Sequence, residues 1–462
     1  MLFHKFVVIG AGETGLLVSS KLAQAGHDVL LIEGNSLGGS YVYSYDYPKY
    51  FLAEIANNSY KIRKSGIKMD KTWQKDVPKI IELKLRNQLI AIKTAQKKLE
   101  NLKFMLGQVK FGGPNALEVI TDGIRQMVAF EECVICTGQQ KMEIPNIGNL
   151  QEVPFLYQHN TFFGDPIPTS LAIVNATASN LQVADIYANF GTKVAIFEPL
   201  KAQDILPGHD TTTLNYLIQN LLRKGVEFYF EADILRVERL DSTSSSNTRS
   251  QIRVLDSDNQ YHNFDTIYCH VNEYFQDTLG LGSLDIKFGP EGIATNNESQ
   301  TNLKNIWVLG RAAQNYRSNN YNTAINNLVE RFGEAGAKND TNRGRALVLF
   351  NNAITGLIGQ EIREIDFGIN KIELERSVAT IGLSYRGATA RFGSVAKFEI
   401  LFHNLHEGFV KIIYNDQTGQ IYGFAIAGAV ASNIQDLCIE IMYKNQNLKD
   451  AKSILFLLGF HK

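Results

Sequence analysis

At 462 residues the chain has the length of about three domains with real cores. A hydrophobic fraction of 44% is ordinary for a water-soluble globular protein, and 46 basic against 47 acidic residues give a net charge of -1, so bulk charge does not point to nucleic acid or to an acidic membrane surface. The four cysteines, Cys133, Cys136, Cys269 and Cys438, are too few and too scattered for a secreted disulfide framework, and no apolar run approaches the roughly 18 residues that span a bilayer. With no signal peptide in the first residues, a cytoplasmic protein is expected.

The first 33 residues carry the strongest signal. Phe6 to Ile9 is an apolar, β-branched run that reads as a buried strand. It leads into Gly10-Ala11-Gly12-Glu13-Thr14-Gly15, a helix-compatible stretch from Leu16 to Ala25, and a second apolar run from Asp28 to Ile32 that closes on Glu33. Strand, G-x-G-x-x-G, helix, strand and an acid about 20 residues on form a dinucleotide fingerprint in its full context. Gly10 permits the tight turn, Gly12 lets the backbone approach a pyrophosphate, and Gly15 lets helix and strand pack closely. The pyrophosphate would lie on the helix N-terminus, and Glu33 would accept from a ribose hydroxyl.

Gly38-Gly39-Ser40 follows, then Tyr41, Tyr43, Tyr45 and Tyr47 at alternate positions, compatible with a strand or with a helix start facing a flat ligand. From Thr72 to Leu102 the spacing of Ile81, Leu85, Leu89 and Ile92 predicts one long amphipathic helix. Cys133 to Gly138 reads as a buried strand ending in a turn. Its C-x-x-C invites a redox or metal reading, but positions three apart along a strand point to opposite faces, so two small buried hydrophobes are expected.

A second strand–turn–helix–strand unit begins at Ser170, with strands Leu171 to Val174 and Lys193 to Phe197, a helix Ala184 to Phe190, and Glu198 at its close. Its turn reads Asn175-Ala176-Thr177-Ala178-Ser179-Asn180, with no glycine, so Cβ atoms fill the space a pyrophosphate needs. A helix from Leu214 to Gly225, strands through Glu238, a Ser/Thr/Asn-rich hairpin tip from Asp241 to Gln251 and a strand–turn at Ile306 to Arg311 follow. Beyond about Asp340 the expected strands are Ser377 to Leu383, Lys397 to Phe402, Gly408 to Tyr414 and Ile421 to Gly428, then a helix from Ser432 to Lys444.

Together these residues resemble the flavoprotein disulfide reductases, such as dihydrolipoamide dehydrogenase, glutathione reductase and mercuric reductase, over essentially the whole chain. The resemblance implies an α/β protein. Two Rossmann-like domains, an FAD domain (1–150 and 280–339) interrupted by a degenerate NAD(P)-like domain (151–279), precede a C-terminal α+β dimerisation domain (340–462). It implies FAD held by Gly10, Gly12, Glu13, Thr14, Gly15, Glu33, Gly38, Gly39, Ser40, Thr137, Gly138, Gly310 and Arg311, and a homodimer.

The departures carry as much information. The family's C-x4-C positions are Tyr41 and Asp46, so dithiol exchange with a flavin has no thiols there. The family's lysine aligns with Tyr50, one position after Lys49, and its glutamate partner aligns with Gln182. The three nicotinamide-site glycines align with Asn175, Thr177 and Asn180. The Gly-Asp of the second FAD strand reads Gly310-Arg311, and the C-terminal His-Pro finds at most His461. These losses imply an FAD-dependent oxidoreductase without a redox-active disulfide, not reduced directly by NAD(P)H and acting on an unknown small substrate. Asp46 is the candidate base, and Tyr41 and Tyr45 form an aromatic wall; a solvated or capping Asp46 and simple packing by the tyrosines are the alternatives. A catalytically degenerate scaffold with structural or no FAD is the competing reading. A protein electron donor such as a ferredoxin is a third.

Overall fold

The computed structural model describes residues 1–39, 46–161, 167–240, 251–296, 298–314, 369–372, 374–403, 408–429, 431–444 and 447–461. Three sheets organise them.

The first is built on β1 (Leu2–Ile9), followed by α1 (Glu13–Gln24) and β2 (Val29–Glu33). Two helices come next, α2 (Asp46–Lys64) and α3 (Val77–Lys97), then β3 (Leu102–Leu106), β4 (Gln108–Gly113), β5 (Ala116–Thr121) and β6 (Ile124–Ile135). β3, β2, β1 and β6 lie side by side in parallel. The twelve-residue β6 does two jobs: its first half pairs antiparallel with β5, and its end runs parallel to a late strand at Ile306–Val308. Side chains alternate as a pleated sheet requires. Phe6 and Val8 pack with α1, α2 and α3, whereas Val7 and Ile9 pack with the β4–β5 hairpin and the segment around Phe275 to Ala313.

Pro78 explains the first departure from expectation. The long helix starts at Val77, not Thr72, because proline belongs in a first helical turn; Thr72–Asp76 is a separate 3-10 turn. The far end is strand β3, where one continuous helix was expected.

The chain leaves this sheet through β7 (Lys141–Glu143) and β8 (Phe155–Leu156) and enters a second one. It comprises β9 (Ser170–Val174), α4 (Ala178–Phe190), β10 (Lys193–Glu198), α5 (Thr211–Arg223) and β11 (Glu227–Phe230). A meander of β12 (Ile234–Arg239), β13 (Ile252–Asp256) and β14 (Tyr261–Phe264) covers one face, and β15 (Thr266–Cys269) completes the parallel order β11-β10-β9-β15-β8. The Ser/Thr-rich stretch expected between β12 and β13 falls largely outside the described residues. The chain returns through β16 (Asn272–Tyr274), which pairs antiparallel with β7, so outgoing and incoming segments are stitched together. After β17 (Phe288–Gly289) and β18 (Gly292–Ile293), β19 (Ile306–Val308) rejoins the first sheet beside β6.

The third sheet is antiparallel, β20-β21-β24-β23-β22-β25, from β20 (Ile369–Ile372), β21 (Ser377–Gly382), β22 (Ala396–His403), β23 (Gly408–Asn415), β24 (Ile421–Gly428) and β25 (Phe460–His461). Helix α6 (Tyr385–Phe392) leads into β22; α7 (Ala431–Tyr443) and α8 (Leu448–Leu457) close one face over Ile381, Ile412 and Phe424. The other face, through Val378, Phe409 and Ala427, packs into the core of α4 and α5. His461 is a paired edge-strand residue opposite Phe402, stacked on Phe456.

Candidate functional site

The glycine turn after β1 is shaped by sterics. Gly10 has φ +100°, and a Cβ there would lie 2.6 Å from the Cys136 carbonyl oxygen. At Gly15 a Cβ would lie 1.8 Å from the Gly10 carbonyl oxygen, so α1 can approach its own turn only without a side chain. At Gly12 a Cβ would meet nothing within 4 Å. Gly12 is the N-cap of α1 and supplies no capping side chain, so the first amides of the helix have no side-chain acceptor of its own cap. Glu33 fastens the turn: its carboxylate accepts Ala11 N at 2.7 Å and Asn35 N at 3.0 Å. The Gly38-Gly39 loop folds back onto the turn, Gly38 N donating to Ala11 O at 2.9 Å.

In front of this turn lies a cavity of about 930 Å³. Glu33, Asn35 and Gln108 line one end, Gly12, Glu13 and Thr14 the helix start, and Thr137, Gly138, Gly310 and Arg311 the wall beyond. Gly310 touches the first turn of α1, since a Cβ there would come within 2.6 Å of Thr14 Oγ1. Thr137 Oγ1 is buried and has no hydrogen-bond partner among the described residues. An open helix N-terminus, an acid at the ribose position and a buried hydroxyl in need of a partner suit an adenine dinucleotide.

Away from Glu33, the cavity ends in residues that sequence spacing did not bring together. His159 Nε2 lies 2.6 Å from Glu273 Oε1, and the other Glu273 oxygen accepts from Arg311 Nη1. Burial pushes the Glu273 carboxyl up, but the His159 hydrogen bond and the Arg311 charge outweigh it and hold the group below the ordinary carboxylate value. Arg311, which the sequence offers to a phosphate or a substrate carboxylate, is held by Glu273 and stays about half-exposed in the cavity wall. Lys49 supplies a second correction. Its Nζ donates to Gln182 Oε1 at 2.9 Å, while Tyr50, the aligned position, is exposed. The register of α2, not a fixed offset from Gly-Gly-Ser, decides which residue reaches α4.

The second unit repeats the backbone plan with other chemistry. Asn175 takes the left-handed conformation (φ +66°) that asparagine tolerates in place of glycine. Thr177 is the N-cap of α4, and its own hydroxyl accepts Asn180 N at 3.2 Å. Asn180, fully buried at the third-glycine position, donates from Nδ2 to Val174 O at 2.6 Å and Asn175 O at 3.0 Å. Glu198 accepts Ala176 N at 2.6 Å and Leu200 N at 2.8 Å, as Glu33 does in the first unit. Helix α4 therefore begins six residues before the expected Ala184: the stretch Ala178 to Asn180, expected as turn, is its first turn.

Among the expected site residues, Gly10, Gly12, Glu13, Thr14, Glu33, Gly39, Thr137, Gly138, Gly310 and Arg311 line the one cavity; Gly15 and Gly38 support its turn. Ser40, Tyr41 and Tyr45 lie outside the described residues; Asp46 begins α2, its side chain likewise undescribed. All four cysteines are buried and free, and Cys133 and Cys136 belong to the cores on opposite faces of the first sheet. Burial drives both thiols far above the ordinary range.

The pyridine nucleotide-disulphide oxidoreductase family model matches residues 4–330. The chain belongs to that family. Its members are FAD flavoproteins, and its fold is that of the flavoprotein disulfide reductases. Among curated relatives, the chain is 27% identical to dihydrolipoyl dehydrogenase of Bacillus subtilis over 455 residues (94% of this chain, 89% of the relative). It is 24% identical to that of Geobacillus stearothermophilus over 444 residues (93% and 87%). Among solved structures it is similar to a copper(II) complex of a cysteine variant of RclA, an HOCl-induced flavoprotein disulfide reductase from Escherichia coli. The TM-score is 0.73 at 17% identity, covering 97% of this chain and 94% of the other. RclA without copper gives 0.71 at 17% identity, covering 96% and 94%. Among the described residues, no helix is long and apolar enough to cross a membrane, and no group of three or more His, Cys, Asp or Glu could hold a metal ion.

Proposed function

We propose that the protein is an FAD-dependent oxidoreductase that performs no dithiol–disulfide exchange, is not reduced directly by NAD(P)H and acts on a small substrate. The observation that carries the reading is the open N-terminus of α1, facing a cavity of about 930 Å³, in a chain whose four cysteines are all buried and unpaired. The amides following Gly12 would hold the pyrophosphate, Glu33 the adenosine ribose, and Thr137 the chain beyond it. FAD, when bound, supplies hydride and electron transfer; the protein's part is to bind, orient and exclude water. Arg311 would contribute its exposed guanidinium edge while Glu273 holds it.

Exchange chemistry needs a pair of thiols beside the ring, and Tyr41 and Asp46 stand where the family has them. Asp46 as base, with Tyr41 and Tyr45 as the aromatic wall, completes the reading of that segment. Direct reduction by NAD(P)H is disfavoured by the self-capped α4, where the Thr177 hydroxyl takes the Asn180 amide that a pyrophosphate would need and the Asn180 side chain is buried at the third-glycine position. That leaves a protein electron donor as the alternative source. The 340–462 domain is the proposed homodimer interface; a cytoplasmic location belongs to the same reading, with no membrane or nucleic-acid partner.

The test is an absorbance spectrum of the purified protein, with released flavin quantified per chain. Near-stoichiometric FAD, with no turnover of lipoamide or glutathione disulfide, is the expected result. A colourless protein that cannot be reconstituted with FAD would leave only a scaffold role, and turnover of a disulfide would refute the reading of Tyr41 and Asp46.

A further inference from the structure

His159 is held more firmly than a casual ion pair requires. It lies between two turns of the chain that are locked to each other. The neighbouring Gln158, almost fully buried, donates from Nε2 to Val271 O at 2.5 Å and accepts Val271 N at Oε1 at 2.9 Å. This reciprocal amide pair fixes the His159 segment against the Glu273 segment. On the other side, Asn160 accepts Tyr157 N at 2.7 Å and donates to Phe155 O at 3.0 Å, closing a tight turn, and the Tyr157 ring meets His159 edge-on at 6.0 Å.

Glu273 uses one oxygen for His159 and the other for Arg311, so it cannot rotate away without breaking both contacts. An anionic carboxylate on Nε2 favours the tautomer with the proton on that nitrogen. Nδ1 then has no hydrogen-bond partner among the described residues, and the side chain lines the cavity. Among the described residues, the other charged or titratable groups at this end include Arg311, His270, Lys49 and Tyr157.

The geometry points to His159 as the residue that gives and takes a proton at the end of the cavity opposite Glu33, with Glu273 and Arg311 as positioning residues. This rests on FAD occupying the cavity: Glu33 and Gly12 would hold its ribose and pyrophosphate at one end, and Gly310 and His159 line the remainder. The step is a proton transfer alone. The N–H bond at Nδ1 of the imidazolium breaks and the proton passes to a basic atom of the bound substrate. The neutral imidazole keeps its Nε2 proton on Glu273, and water restores the other. No electron moves in this step. An imidazole is the side chain suited to it, because it exchanges protons near neutral pH.

The test follows the full-length protein with ¹³C-labelled histidine by NMR from pH 5 to 8.5, first without and then with saturating FAD, whose binding is read from its absorbance in the same samples. His159→Gln assigns the resonance. Glu273→Gln keeps a hydrogen-bonding side chain but removes the charge that favours the imidazolium, and should lower the His159 titration midpoint. FAD should shift the midpoint in the wild-type protein. A midpoint that ignores Glu273→Gln shows that the pair does not control the imidazole and overturns the inference. An FAD-loaded protein whose His159 titrates as in the free chain overturns it while leaving the FAD reading intact. Failure to bind FAD removes both. Should His159→Gln not fold, Glu273→Gln and the FAD titration still decide the matter.

Discussion

In both nucleotide-fold units a glutamate closing the second strand accepts an amide from the turn after the first, Ala11 to Glu33 and Ala176 to Glu198, each pair 22 residues apart. Both turns place their first residue at positive φ, and both lead into a helix. The difference lies in what meets the helix N-terminus. At α1 the cap is glycine and the amides face a cavity; at α4 the cap is a threonine whose hydroxyl takes one amide, with a buried asparagine tying the turn to its strand. A Rossmann turn can thus keep its backbone plan while its own cap takes one of its amide donors. The backbone plan survives because Asn175 can adopt the conformation that Gly10 adopts freely.

Substitutions that push each unit towards the other break or sharpen this comparison. The largest effect is expected for Gly15→Ala. With a Cβ 1.8 Å from the Gly10 carbonyl oxygen, α1 must move off its strand, so the loss should be about 3 kcal/mol or more, read as a fall in unfolding midpoint together with loss of flavin. Gly12→Thr copies the α4 cap into α1. Because no atom lies within 4 Å of the new Cβ, the fold should keep its stability, while FAD affinity should fall roughly 10- to 100-fold, measured by flavin release on dilution.

Asn180→Ala removes the donors to Val174 O and Asn175 O and leaves buried carbonyls without them. A loss of about 1–2 kcal/mol in chemical unfolding is expected, with FAD content unchanged. The smallest effect is acidic. The Glu273 carboxyl is held below its ordinary value in the folded protein, so its contribution to stability is present above the unfolded-state value. It is lost as pH falls from about 4.5 through the lower folded value. Glu273→Gln should flatten that acid limb of an unfolding-midpoint-against-pH curve.

Much of this was legible locally. The first fingerprint could be read because each glycine answers a separate steric demand, and Cys133 and Cys136 because a strand's period of two decides their faces. The start of α4 was not, because Thr177 to Asn180 reads as turn in composition while forming a cap and a first helical turn. Helix α2 was reduced to a possible start at the tyrosines, since its sequence from Asp46 to Lys64 is largely polar and carries Pro48 near the front. The strands β3 to β5 went unrecognised behind the strong periodicity of α3. Contacts across the chain were out of reach: His159 and Glu273 are 114 residues apart, and Lys49 and Gln182 are 133 apart. The pairing of β8 with β15, the Gln158–Val271 amide pair beyond it and the packing of α2 on α4 bring such pairs within a few ångströms.

The central claim is that one unit holds a dinucleotide and the other does not. Anaerobic titration of the FAD-loaded protein with NADH, followed by flavin absorbance and by heat of binding, addresses it directly. The expected result is an unbleached flavin and no saturable heat up to millimolar NADH. Stoichiometric bleaching with saturable binding would show that Thr177 and Asn180 leave the second site open, and would contradict the account.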